Sequence, residues 1–165
     1  MLFLAVLVVA FLVAFALPAR YGGRSIRDAA RRAMAVAFVF AGVSHLAMPE
    51  SFEAYFPSWV PFVEPIVYVT GVIEIVGGLA LLSRRYQGYV GLALAAYLVL
   101  VFPANLYVAV AGVEEDLPGL PAASWDSWAR LPLQALFIWW VLRSTGATIP
   151  ARRALRAFSP AVAAR

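Results

Sequence analysis

Five polar side chains interrupt otherwise apolar stretches of the sequence: His45, Glu74, Asn105, Arg130 and Gln134. They are the residues whose types and spacing could do chemistry. Glu74 sits near the middle of Pro65–Arg85, PIVYVTGVIEIVGGLALLSRR, a stretch long enough to cross a bilayer. An ionised side chain at the centre of the hydrocarbon costs roughly 2.5–3.5 kcal/mol on insertion scales, so Glu74 is expected to face protein rather than lipid. Gly71 and Gly78 fall at i−3 and i+4 from it, on the same helical face, where another backbone can approach closely. Arg130 and Gln134 are four apart and project from one face of the last apolar segment, with the Arg130 fork of donors able to reach a carboxylate.

Two readings of this cluster stay open. In the first, Glu74 and Arg130 form a buried pair, with Asn105 and Gln134 as interhelical hydrogen bonds worth roughly 1 kcal/mol each. In the second, the five residues line a pocket for the polar head of a lipophilic ligand, or a site where Glu74 gains and loses a proton. His45 is also explained by packing near an interface, and Asn105 by satisfying backbone groups freed at Pro103.

Several function classes are excluded. The chain has no cysteine, which removes disulfide exchange, iron–sulfur clusters and covalent haem attachment. A single histidine removes a multi-histidine metal site within one copy, so no metal is expected. No serine stands with a histidine and an acid at recognisable spacing, so catalysis has no support and no catalytic residue is assigned. The 13 basic residues are all arginine and fall mostly between apolar segments and near the C-terminus, as topology signals rather than a nucleic-acid surface.

The elements that must position the cluster are membrane helices. In 165 residues the chain is 64% hydrophobic and 13% charged, and its mean hydropathy is +0.84. A soluble domain has about a quarter charged residues. Met1–Leu17 reads as a first span, retained or cleaved as a leader, and Arg20–Arg32 as a basic cytoplasmic loop or an amphipathic turn on anionic lipid. Ala33–Met48 reads as the second span. Glu50–Glu64, with three prolines from Pro57 to Pro65 close by and many aromatics, reads as an external interfacial loop. The Glu74 span follows, then Gly88–Gly112 kinked at Pro103, an acidic external loop over Val113–Ala129, and a last span from Arg130. At ~1.5 Å per residue, Asn105 lies roughly 10 Å, Gln134 about 6 Å and Glu74 about 16 Å from the outer ends of their helices.

The order GVSHLAMPESF–FPSWVP at 42–61, TGVIEIVGGLALL at 70–82, VFPANLYVA at 101–109 and RLPLQ at 130–134 resembles the DoxX-like family of small bacterial and archaeal membrane proteins. The resemblance implies a four-helix core over 33–143, here preceded by a helix and basic loop in 1–32 and followed by a basic tail in 144–165. It also implies association with quinones or redox membrane complexes, with His45, Pro49, Glu74, Pro103, Asn105, Arg130 and Gln134 at matching positions. Thiol chemistry of redox-linked relatives has no residue to perform it here.

The sequence therefore predicts an all-α membrane protein, a bundle of five transmembrane helices in a bacterial or archaeal cytoplasmic membrane, N-terminus outside and C-terminus inside. Its expected partners are the lipid bilayer and a lipophilic small molecule, a quinone or lipid, held by Glu74, Arg130, Asn105, Gln134 and His45. The alternatives are a non-catalytic subunit scaffolding a redox complex or a homo-oligomer, and a small proton-coupled transporter, for which five spans without an inverted repeat give little machinery.

Overall fold

The computed structural model describes residues 2–16, 25–111 and 124–147. Among them there are helices and turns and no strand. In chain order the helices are α1 (Leu2–Ala16), α2 (Ile26–Ala47), α3 (Pro49–Glu53), α4 (Val63–Ala80), α5 (Gln87–Leu100), α6 (Phe102–Ala111) and α7 (Ser124–Thr145). Two stretches, Val63–Ala80 and Gln87–Ala111, are long and apolar enough to cross a membrane, and α1 is a shorter apolar helix. α2 and α7 are longer than α4 but carry charges: Arg27, Asp28, Arg31 and Arg32 in one, Asp126, Arg130 and Arg143 in the other.

The helix ends correct several expected boundaries. α2 begins at Ile26, inside the segment expected to be a basic loop, and Arg27, Asp28 and Arg31 of its first turns all find partners. Arg31 is 2% exposed. Its Nη1 donates to the Leu81 carbonyl at 2.5 Å and its Nη2 lies 3.0 Å from Asp28 Oδ1. Arg27 Nε donates to the Ser144 carbonyl. Both arginines thus serve the last carbonyls of other helices, α4 and α7, which have no intrahelical donor and end a helix dipole negatively. Arg20 and Arg24 lie outside the described residues, as do most of the acidic loop before α7 and the basic tail from residue 148.

α4 ends at Ala80, short of the expected Arg85, in a turn that leads straight into α5. Near Pro103 the helix is interrupted at one residue, Val101, which keeps near-helical angles: α5 stops at Leu100 and α6 starts at Phe102, with Pro103 in its first turn, where a missing N–H costs no hydrogen bond. α7 starts six residues before Arg130, at Ser124, so Arg130 lies within the helix rather than at its mouth. The residue types of Ser124 and Asp126 suit a helical first turn.

α2 is the centre of the assembly, packed against α1, α3, α4 and α7. Its seam with α4 is built by small residues seven apart on each helix, Ala35 and Gly42 facing Gly78 and Gly71. A Cβ on Gly71 would stand 3.0 Å from the Gly42 carbonyl oxygen, and one on Gly78 2.8 Å from the Ala35 carbonyl oxygen. The close approach expected of Gly71 and Gly78 is therefore made, to α2. α5 packs instead on α7, and although only a short turn joins α4 to α5, the two barely touch. The core runs through Leu7, Met34, Phe38, Leu81, Leu94 and Val141.

Candidate ligand cavity

The space left between α4 and α5 is a partly open cavity of about 250 Å³, lined also by α2, α6 and α7, by the first turn of α1 and by Phe52 of α3. All five residues singled out in the sequence, His45, Glu74, Asn105, Arg130 and Gln134, line it. Their pairing differs from the expected one.

Glu74 is held on the buried face of α4 formed by Val67, Gly71, Glu74 and Gly78, and is 8% exposed. Tyr97 Oη, from α5, donates to Glu74 Oε1 at 3.0 Å. His45 Nδ1, from the last turn of α2, lies 2.9 Å from Glu74 Oε2. That contact is an ion-pair approach off the line of a hydrogen bond, and both atoms are otherwise buried without a hydrogen-bond partner. An imidazole and a carboxylate at this distance can hold a proton between them or offer their unused valence to a bound molecule. The His45 ring is fixed from its other side by Phe52, edge to face at 4.0 Å between centroids.

The expected Glu74–Arg130 pair is not among the ion pairs of the described residues. Arg130 reaches a different acceptor: its Nη1 donates to Tyr55 Oη at 2.6 Å, and its guanidinium carbon stands 5.3 Å from the Tyr55 ring centroid. The reason is where each helix puts its residue. Glu74 is three turns into α4, whereas Arg130 is two turns into α7, where the chain after α3 folds back and buries Tyr55.

Asn105 and Gln134 work at the α5–α6 break. Gln134 Nε2 donates to the carbonyl of Leu98, one of the carbonyls left without a helical donor where α5 ends, and its Oε1 accepts from Asn105 Nδ2 at 3.1 Å. One amide thus ties α5, α6 and α7 together. The alternative that assigned these two residues to interhelical hydrogen bonding accounts for these contacts, while His45, Glu74 and Arg130 carry the charged wall.

Tyr97 and Tyr55 were not singled out from the sequence. Tyr97 is the one polar group in the run GLALAAYLVL and was detectable as such; Tyr55 is one of many aromatics in a proline-rich segment, and nothing local marks it. The rest of the lining is mostly aromatic and aliphatic, with Phe38, Phe40, Phe137 and Leu2 among it. Among the described residues no group of acids and histidines could hold a metal ion.

A helical bundle with a partly open, mostly apolar cavity that carries a few ionisable and hydroxyl groups is the class of protein defined by these contacts. Residues 34–145 match the family described as a domain of unknown function, DUF8561, and the chain belongs to that family. No curated protein and no solved structure matches the chain.

Proposed function

We propose that the chain is an integral membrane protein of five spans that binds a lipophilic molecule by its polar head in this cavity, with a quinone as the best-fitting class. The observation that carries the reading is the lining of the cavity: ionisable and hydroxyl groups of His45, Glu74, Tyr97, Tyr55 and Arg130, linked in pairs, set in a mostly apolar wall that includes Phe38, Phe40, Phe52 and Phe137. Pockets for small ligands combine an apolar lining with a few placed polar groups in just this way. A volume of about 250 Å³ suits one ring with its oxygens, so an attached tail would leave the cavity into lipid. Carbonyl oxygens on such a ring would accept from the Arg130 guanidinium and the His45 imidazole, and the ring would lie among Phe38, Phe40 and Phe137.

Membrane insertion is supported by the apolar surface that the two long apolar stretches leave outside the bundle, where Val69, Val76, Val99 and Leu100 are each more than half exposed. The resemblance to the DoxX-like family supports a redox association. The second reading, a non-catalytic subunit of a redox complex, is favoured by the Asn105–Gln134–Leu98 contacts, which stabilise the bundle without needing a ligand.

Mass spectrometry of organic extracts from protein purified in mild detergent tests the first reading, beside Glu74→Gln and Arg130→Gln. The expected result is a stoichiometric quinone or lipid in the wild type, reduced about tenfold or more in folded variants, the scale of a hydrogen bond to a charged group. An empty, stable wild type would overturn it and favour the subunit reading. Retention in the membrane pellet after carbonate extraction tests insertion separately.

A further inference from the structure

Away from the cavity, the outer face of α1 and α2 forms a groove of about 580 Å³ lined by Val6, Val9, Ala10, Val13, Val36 and the single charged residue Arg32. Its floor is apolar and its walls are open, with Val9 and Val13 more than half exposed. Arg32 is half-buried, and because the groove surface is almost wholly apolar, it is the alkyl stem that lines it, with the guanidinium beyond the apolar lining. The neighbouring arginines all have protein acceptors: Arg31 the Leu81 carbonyl and Asp28, Arg84 the second oxygen of Asp28 at 3.7 Å, Arg27 the Ser144 carbonyl. Arg32 has no ion pair or hydrogen bond among the described residues, and the only carboxylate in the sequence between residues 1 and 49 is the doubly engaged Asp28.

We propose that this groove holds an anionic phospholipid, its phosphate against the Arg32 guanidinium and one acyl chain along α1 beside Val6, Val9 and Val36. Charge selects the occupant. A guanidinium recognises phosphate through paired donors, and one set beside an apolar channel fits a molecule with a phosphate on a hydrocarbon chain. The end of the bundle it belongs to also carries Arg27, Arg31, Arg84 and Arg85, which repel a cationic partner and attract anionic lipid. The site is separate from the cavity and rests on the membrane reading alone.

The test uses the full chain reconstituted in nanodiscs of equal phosphatidylglycerol and phosphatidylcholine, then released into detergent for native mass spectrometry. One phosphatidylglycerol per chain is expected to remain in preference to phosphatidylcholine. Arg32→Gln should cut that preference about fivefold, the effect of one arginine near an anionic surface, and Arg32→Lys should keep most of it. Ala10→Phe, which fills the groove without touching the charge, should remove the retained lipid. Equal retention of the two lipids, or a phosphatidylglycerol preference that survives Arg32→Gln and Ala10→Phe, overturns the proposal. A wild type that resists carbonate extraction but shows no preference overturns the lipid site and leaves membrane insertion standing; a wild type that carbonate strips away overturns both.

Discussion

Tyr97 is the residue on which the polar wall turns, because it supplies the hydrogen bond to Glu74 from across the gap between α4 and α5. Tyr97→Phe keeps the ring and removes the donor, leaving Glu74 Oε1 short of a partner in a buried place. The expected outcome is a folded protein that unfolds at lower temperature, with a loss of about 1–3 kcal/mol, read by thermal denaturation in detergent. At this scale much of the site was legible in the sequence. A histidine, a glutamate, an asparagine, an arginine and a glutamine inside apolar stretches are costly there, and cost is visible without coordinates. The tyrosines were not legible, since an amphipathic ring is ordinary near a membrane interface. Nor was the pairing: whether Glu74 meets Arg130 or His45 depends on how far each helix is rotated and how deep it starts, and α7 starts a turn and a half earlier than its charge pattern suggested.

Among the elements, α2 and α4 are joined backbone to backbone, and the glycines of α4 differ in what opposes them. At Gly78 a new methyl meets the Ala35 carbonyl oxygen, and at Gly71 the His45 Cβ and the Gly42 carbonyl, none of which can step aside without moving a helix. At Gly77 it meets the end of the Leu94 side chain, which can turn. Gly71→Ala and Gly78→Ala should therefore each destabilise by about 1–3 kcal/mol, and Gly77→Ala by clearly less, in the same denaturation assay. Gly71 and Gly78 could be read from the sequence because both lie beside Glu74 on one face. Gly42 could not, because its role depends on the register of a partner helix. The α5–α6 break makes a second element-scale prediction. Gln134→Leu leaves the Leu98 carbonyl and Asn105 without their shared partner, so it should destabilise by about 1–3 kcal/mol while Asn105→Leu, which leaves the Leu98 bond in place, costs less.

For the molecule as a whole, charge is sorted between the two ends of the bundle. The N-terminal turns of α2, the α4–α5 turn and the C-terminus of α7 carry Arg27, Arg31, Arg32, Arg84, Arg85 and Arg143, while Glu50, Glu53 and Glu64 stand at the opposite end, where Trp59 and Phe62 are 80% and 78% exposed. The absence of cysteine from the sequence makes the orientation directly measurable. Single replacements Ser58→Cys and Arg85→Cys should label from opposite faces of sealed membrane vesicles, Arg85→Cys from the cytoplasmic side; labelling of both from one face would rule out a span between them. The matched family region begins at residue 34, yet Leu2, Phe3 and Leu4 form part of the cavity wall. The shared domain thus carries the ionisable groups of the chamber, and the segment ahead of it supplies one apolar panel of its wall. On the ligand-binding proposal, family members that keep 34–145 but carry a different first helix should share one recognition chemistry and differ in the size of molecule admitted, and exchanging residues 2–16 between two of them should exchange what they hold.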